Sequence, residues 1–102
     1  MTQDVQTPVR RPIEKTRPKR PQRYVVVMLN DDFTPAEFVI DLLQRVFQKD
    51  REEAIATTFS IHNSGRAPVG LYPHEIAETK TAQVHRAAQQ NGYPLRCEIS
   101  PE

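Results

Sequence analysis

The sequence predicts a small α+β domain, with three helices packed on one face of a three-stranded antiparallel sheet in the order strand–helix–helix–strand–helix–strand. Three observations lead there. Residues 24–29, 68–72 and 95–100 are short apolar or alternating runs of strand length. Between them lie longer stretches whose apolar residues recur with a helical period, bounded by start and stop signals. The chain has 102 residues, enough for one domain with a modest core, and contains no internal repeat.

The first strand, residues 24–29 (Tyr-Val-Val-Val-Met-Leu), is almost continuously apolar, as a central strand would be. A helix is expected over about 35–48, with Phe38, Val39, Leu42, Leu43, Val46 and Phe47 forming its buried stripe. Its start is strongly marked. Thr34 is placed to cap it, Pro35 suits the first helical position, and Glu37 completes a capping box. Phe33 and Phe38 have the spacing of a hydrophobic staple across that start. Asp50, with Glu53 three residues on, opens a second helix whose apolar face is Ala54, Ile55, Thr58, Phe59 and His62, and Asn63-Ser64-Gly65 ends it. After the strand at 68–72, a third helix runs from near Pro73 to Asn91-Gly92, with Ile76, Ala77, Ala82, Val84, Ala87 and Ala88 as its apolar material. The last strand, about 95–100, alternates as a half-buried strand does.

Charge divides the chain in two. Residues 1–23 carry a net charge of +5, and residues 24–102 carry −4. The first 22 residues are rich in proline, contain no aromatic residue, and hold too little apolar surface to offset the entropy of ordering; a disordered basic arm is expected there, followed by the folded domain at 23–102. Such an arm could touch nucleic acid but lacks aromatics to stack on bases, so a flexible tether is the simpler reading, and the acidic domain itself does not suit nucleic acid. No apolar run approaches a membrane span and the first residues carry no secretory pattern, which points to a cytoplasmic protein without a membrane partner. Cys97 is the only cysteine, which excludes an intrachain disulfide, and the histidines have no metal-ligand spacing.

Two places could carry chemistry. Asn30-Asp31-Asp32 lies on a short connector between a buried strand and a capped helix. It reads either as a plain turn, which Asn and Asp favour, or as an acceptor-rich site for a ligand that brings positive charge and N–H donors. His62 shares a helical stripe with Ile55, Thr58 and Phe59, and reads either as a core histidine or as a ligand at a pocket edge. A hydrolase would pair Asp31 or Asp32 with His62, but Ser60 and Ser64 lack any nucleophile motif, and Gly65 and Gly70 are too isolated for a phosphate loop.

The stretch Leu29-Asn30-Asp31-Asp32-Phe33-Thr34-Pro35, followed by Glu37-Phe38-Val39, closely resembles the hallmark of the ClpS family of bacterial adaptor proteins. The resemblance continues through Ile61-His62, Gly70-Leu71-Tyr72, Glu75-Ile76-Ala77-Glu78-Thr79-Lys80 and Tyr93-Pro94-Leu95-Arg96-Cys97, and so covers about residues 23–100. It implies an adaptor, not an enzyme. Such adaptors bind N-degrons, substrates whose first residue is Leu, Phe, Tyr or Trp with a free α-amino group, and deliver them to the AAA+ unfoldase ClpA, partner of the ClpP protease. By the same resemblance Asn30, Asp31 and His62 would hold the α-amino group and Asp32 would support their loop. Thr34, Ala36, Val39, Thr58, Ile61 and Leu95 would line the side-chain pocket, while Glu75 and Lys80 match positions that contact the unfoldase's N-terminal domain. No cofactor or metal is implied, and a monomer is expected. The chain departs from many members at Ala36 and Thr58, where they carry methionine. The competing reading is a small ribosome- or RNA-associated domain acting through its basic arm.

Overall fold

A computed structural model of the chain describes residues 21–102. The expected arm, residues 1–22, lies outside them save for its last two positions. The element order is β1 (Arg23–Leu29), α1 (Ala36–Arg45), α2 (Arg51–Ser64), β2 (Arg66–Pro73), α3 (His74–Gln90) and β3 (Arg96–Pro101).

The sheet is antiparallel with the order β2-β1-β3, so the most apolar strand is central. Met28 faces Ala67 on one side and Cys97 on the other, while Val26 faces Gly70 and Ile99. Strand residues two apart share a face, so these side chains form the sheet's inner surface, and Val26 and Met28 are wholly buried. The register against β2 shifts between Val26 and Val27, leaving Val69 as an extra residue beside Pro68, which has no N–H to give to a ladder. Helix α3 packs across all three strands, and α2 joins α1 to β2. Leu42, Leu43 and Val84 complete the deepest part of the core. Truncating any of these leucines to alanine should cost about 2–5 kcal/mol.

Local signals decide where the helices begin and end. Asp50 caps α2 as expected, its Oδ1 accepting from Glu53 N–H at 2.8 Å, and Gly65 ends the helix in the left-handed region at φ 86°. At the end of α3 the N–H groups of Gly92 and Tyr93 donate to the carbonyls of Gln89 and Ala88, which is the Schellman arrangement. Gly92 has φ 75° there, and the turn sends Tyr93 edge-on against Phe38, with centroids 4.9 Å apart.

Helix α1 departs from expectation at both ends. Pro35, not Thr34, is the residue preceding it, and no side chain caps it. The Thr34 hydroxyl donates to Asp31 Oδ2 and Glu37 pairs with Arg51, so neither group is available for a capping box. The expected staple does not form either, since Phe33 is 76% exposed while Phe38 lies against Tyr93. At its other end α1 stops at Arg45, short of Gln48. Gln48 takes φ 54°, and the Val46 carbonyl accepts from Lys80 Nζ at 2.6 Å instead of continuing the helix.

Candidate functional site

The connector after β1 and the face of α2 are tied together through the backbone. Asn30 N–H donates to the carbonyl of Gly65 at 2.9 Å. Because Gly65 ends the helix that carries His62, this one bond sets Asn30 beside the last turn of α2. Asp31 organises the rest of the connector. Its Oδ1 accepts from the N–H groups of Phe33 and Thr34, and its Oδ2 from the Thr34 hydroxyl, all at 2.8 Å. Burial alone would raise the pKa of this carboxyl, but the three hydrogen bonds outweigh it and hold the group below its ordinary value. Asp31 is therefore ionised and fixed in orientation.

Between this connector, the start of α1 and the face of α2 lies a cavity of about 590 Å³. Its apolar part is made by Val39, Ile40, Ile61 and Leu95, all buried, with Ala36 and Thr58 beside them. The Thr58 hydroxyl donates to the Ala54 carbonyl at 2.8 Å, which leaves its methyl group as the surface it can offer a ligand. Asn30, Asp31, Asp32, Glu37 and His62 supply the polar part of the lining, with Thr34 between them. Three carboxylates and no Lys or Arg line the cavity among the described residues, so it favours a cation. The two hydroxyls in the lining, of Thr34 and Thr58, are both engaged in internal hydrogen bonds.

All nine residues expected at the amine site and pocket, and Asp32 with them, thus line one cavity, and His62 is exposed there, not a core histidine. Asp32 does not hold the loop as expected: it is exposed, and the loop's side-chain bonds come from Asp31. Glu75 and Lys80 lie apart on α3 and do not line the cavity. Lys80 is no free surface charge. Its ammonium donates to the Val46 carbonyl and to Gln48 Oε1 and stands 5.2 Å from the centre of the Tyr72 ring.

Sequence reasoning missed Leu29, Glu37, Ile40 and Ile55 as lining residues, and placed Phe59 with the core. Ile40 and Ile55 continue helical stripes already visible at Val39 and Thr58, so the period could have found them. Phe59 is 62% exposed, which the pattern does not reveal.

A profile described as ATP-dependent Clp protease adaptor protein ClpS matches residues 19–98. The chain belongs to the ClpS family. An ATP-dependent Clp protease adapter protein ClpS of Variovorax paradoxus (strain S110) is 53% identical over 92 residues, which span 90% of this chain and 75% of the relative. ClpS 1 of Rhizobium meliloti (strain 1021) is 48% identical over 87 residues, 83% of this chain and 74% of that one. Among solved structures, Agrobacterium tumefaciens ClpS2 bound to L-phenylalaninamide superposes with a TM-score of 0.79 at 36% identity, over 81% of this chain and all of ClpS2. Membership of the ClpS family makes this chain a Clp protease adaptor by type, and it fits the observed order of three strands and three helices.

Proposed function

We propose that this protein is a non-enzymatic adaptor that holds the free α-amino group and large hydrophobic first residue of an N-degron, with Phe, Tyr, Trp and Leu as the residues accepted. One observation carries this reading: an apolar cavity whose polar lining is rich in acceptors and carboxylates. An ammonium has three donors and no acceptor. The Asn30 carbonyl, the Asp31 carboxylate and an unprotonated His62 nitrogen are three acceptors for it. Asp31 already accepts three hydrogen bonds, yet a carboxylate has about four lone-pair positions, so one remains for the ligand. Burying the first side chain supplies affinity, and the charge-assisted bonds select a free amine. L-phenylalaninamide, the ligand of the related ClpS2, combines a free amine with a benzyl side chain, which is the same chemistry.

The bound substrate would pass to the AAA+ unfoldase ClpA for degradation by ClpP, with Glu75 and Lys80 at the docking face, the protein acting as a monomer in the cytoplasm. The basic arm at residues 1–22 would serve as a tether in that handover, so its removal should leave peptide affinity unchanged and slow degradation. The RNA-associated alternative gains no support from a cavity lined by carboxylates, which repels phosphate.

Binding of two peptides that differ only at the amine tests the reading. A Phe-initiated peptide should bind, and its N-acetylated twin should bind more than about a hundredfold more weakly, since two or more charge-assisted bonds of about 1.5–3 kcal/mol each are lost. Equal binding of the two would overturn it.

A further inference from the structure

Among the large apolar side chains lining the cavity, Phe59 is the most exposed, at 62%, whereas Val39, Ile40, Ile61 and Leu95 are all at 7% or less. It therefore belongs to the rim, not to the apolar floor. Phe59 lies three residues before His62 on α2, and residues three apart on a helix are neighbours with Cβ atoms about 5–6 Å apart. An aromatic ring thus stands in water beside the histidine that faces the amine.

The path of a bound peptide follows from this placement. In an extended chain successive side chains leave the backbone on opposite sides, and consecutive Cα atoms are about 3.8 Å apart. With the first side chain in the cavity and the amine at Asn30, Asp31 and His62, the second side chain is directed away from the floor, at the level of the rim. Phe59, the helical neighbour of His62, is the exposed aromatic side chain of the lining on that side. We propose that Phe59 is a second-residue subsite, an apolar platform that favours N-degrons with an aliphatic or aromatic residue after the first. The inference rests on the first-residue reading above and extends it to the next position. Phe33, though 76% exposed, does not line the cavity, and nothing in the structure shows what covers Leu71 or Ile76, so none of these carries a comparable role.

The test uses two peptides beginning with Phe, one with Leu and one with Ser at the second position, titrated against the full chain. A Phe side chain presents about 150–250 Å², so covering part of the exposed ring should favour the Leu peptide by roughly fivefold to tenfold. In Phe59→Ala that ratio should fall to about twofold or less, while the preference for Phe over Gly at the first position persists. Phe59→Leu, which keeps most of the apolar area, should retain most of the ratio, and Ile76→Ala, outside the cavity, should not change it. A ratio that survives Phe59→Ala would overturn the proposal. So would an equal weakening of both peptides, which would make Phe59 a wall of the first-residue pocket. If the wild-type protein binds neither peptide, the first-residue reading fails and this one falls with it.

Discussion

Replacing Asp31 by asparagine removes one charge while keeping the shape of the side chain, and it separates the two tasks the structure gives this residue. The amide oxygen can take the place of Oδ1 and keep the N–H groups of Phe33 and Thr34, and the Thr34 hydroxyl can turn to accept from the amide nitrogen. The loop then keeps its bonds but loses their charge assistance, a cost of about 1–2 kcal/mol given that the group is only half-buried. Alanine would instead release all three donors, at about 2–4 kcal/mol. Affinity should respond differently. Losing the carboxylate as an ammonium acceptor removes about 1.5–3 kcal/mol, or roughly a ten- to hundredfold rise in Kd, even with the loop intact. Fluorescence anisotropy with a labelled Phe-initiated peptide and urea melts on wild type, Asp31→Asn and Asp31→Ala would measure both quantities. A Kd within twofold of wild type in a folded Asp31→Asn protein would refute the role at the amine and leave Asp31 as a loop residue alone. The same group sets an acid dependence. Its folded pKa is lowered, so its contribution to stability is present above the unfolded value of about 3.9 and is lost as pH falls through the lower folded value. Asp31→Asn should lose that part of the acid sensitivity.

Three further outcomes are expected. Ala36 and Thr58 leave the cavity wider than methionines would, so Phe should bind better than Leu by about fourfold for each methylene-sized contact that Leu fails to make, and Ala36→Met with Thr58→Met should narrow the gap; equal binding of Leu and Phe peptides by the wild type would show that other side chains fill the space. His85 Nε2 accepts from Cys97 N–H at 3.1 Å, and burial, then the Arg96 charge, lower its pKa. Its stabilising effect is therefore present above about pH 6.5 and is lost as pH falls through the folded value, and urea midpoints between pH 7.5 and 5, approximately, should fall further for wild type than for His85→Gln, which accepts without titrating. Lys80→Met should lower stability by about 1–3 kcal/mol through the Val46 and Gln48 bonds, whereas Glu75→Ala should leave thermal melting and peptide affinity alone and slow ClpA-dependent degradation; a Lys80→Met protein as stable as wild type would show that the α3 clamp is idle.

The fold class, the central strand and both ends of α2 were legible in the sequence because each rests on signals a few residues apart. Apolar period, Asp50 three residues before its N–H partner, and a glycine where the chain must turn left are all local. The order Leu29 to Phe38, with Ile61-His62, also marked the family, since a linear motif needs no coordinates to be seen. What neighbours compete for is not local. Thr34 had every property of a helix cap, yet Asp31 takes its hydroxyl and its N–H, and the helix starts without it. Lys80 was marked in the sequence only by its match to a docking position, yet it reaches a carbonyl 34 residues away and helps end α1 there. Helical period tells which residues share a face but not what lies over that face, so Phe59 was grouped with the core and stands instead at the rim of the cavity. The bond from Asn30 to Gly65, which brings the connector to His62, joins two backbone groups with no side-chain signature, and only the register of β1 against β2, the strand that follows α2, could place it.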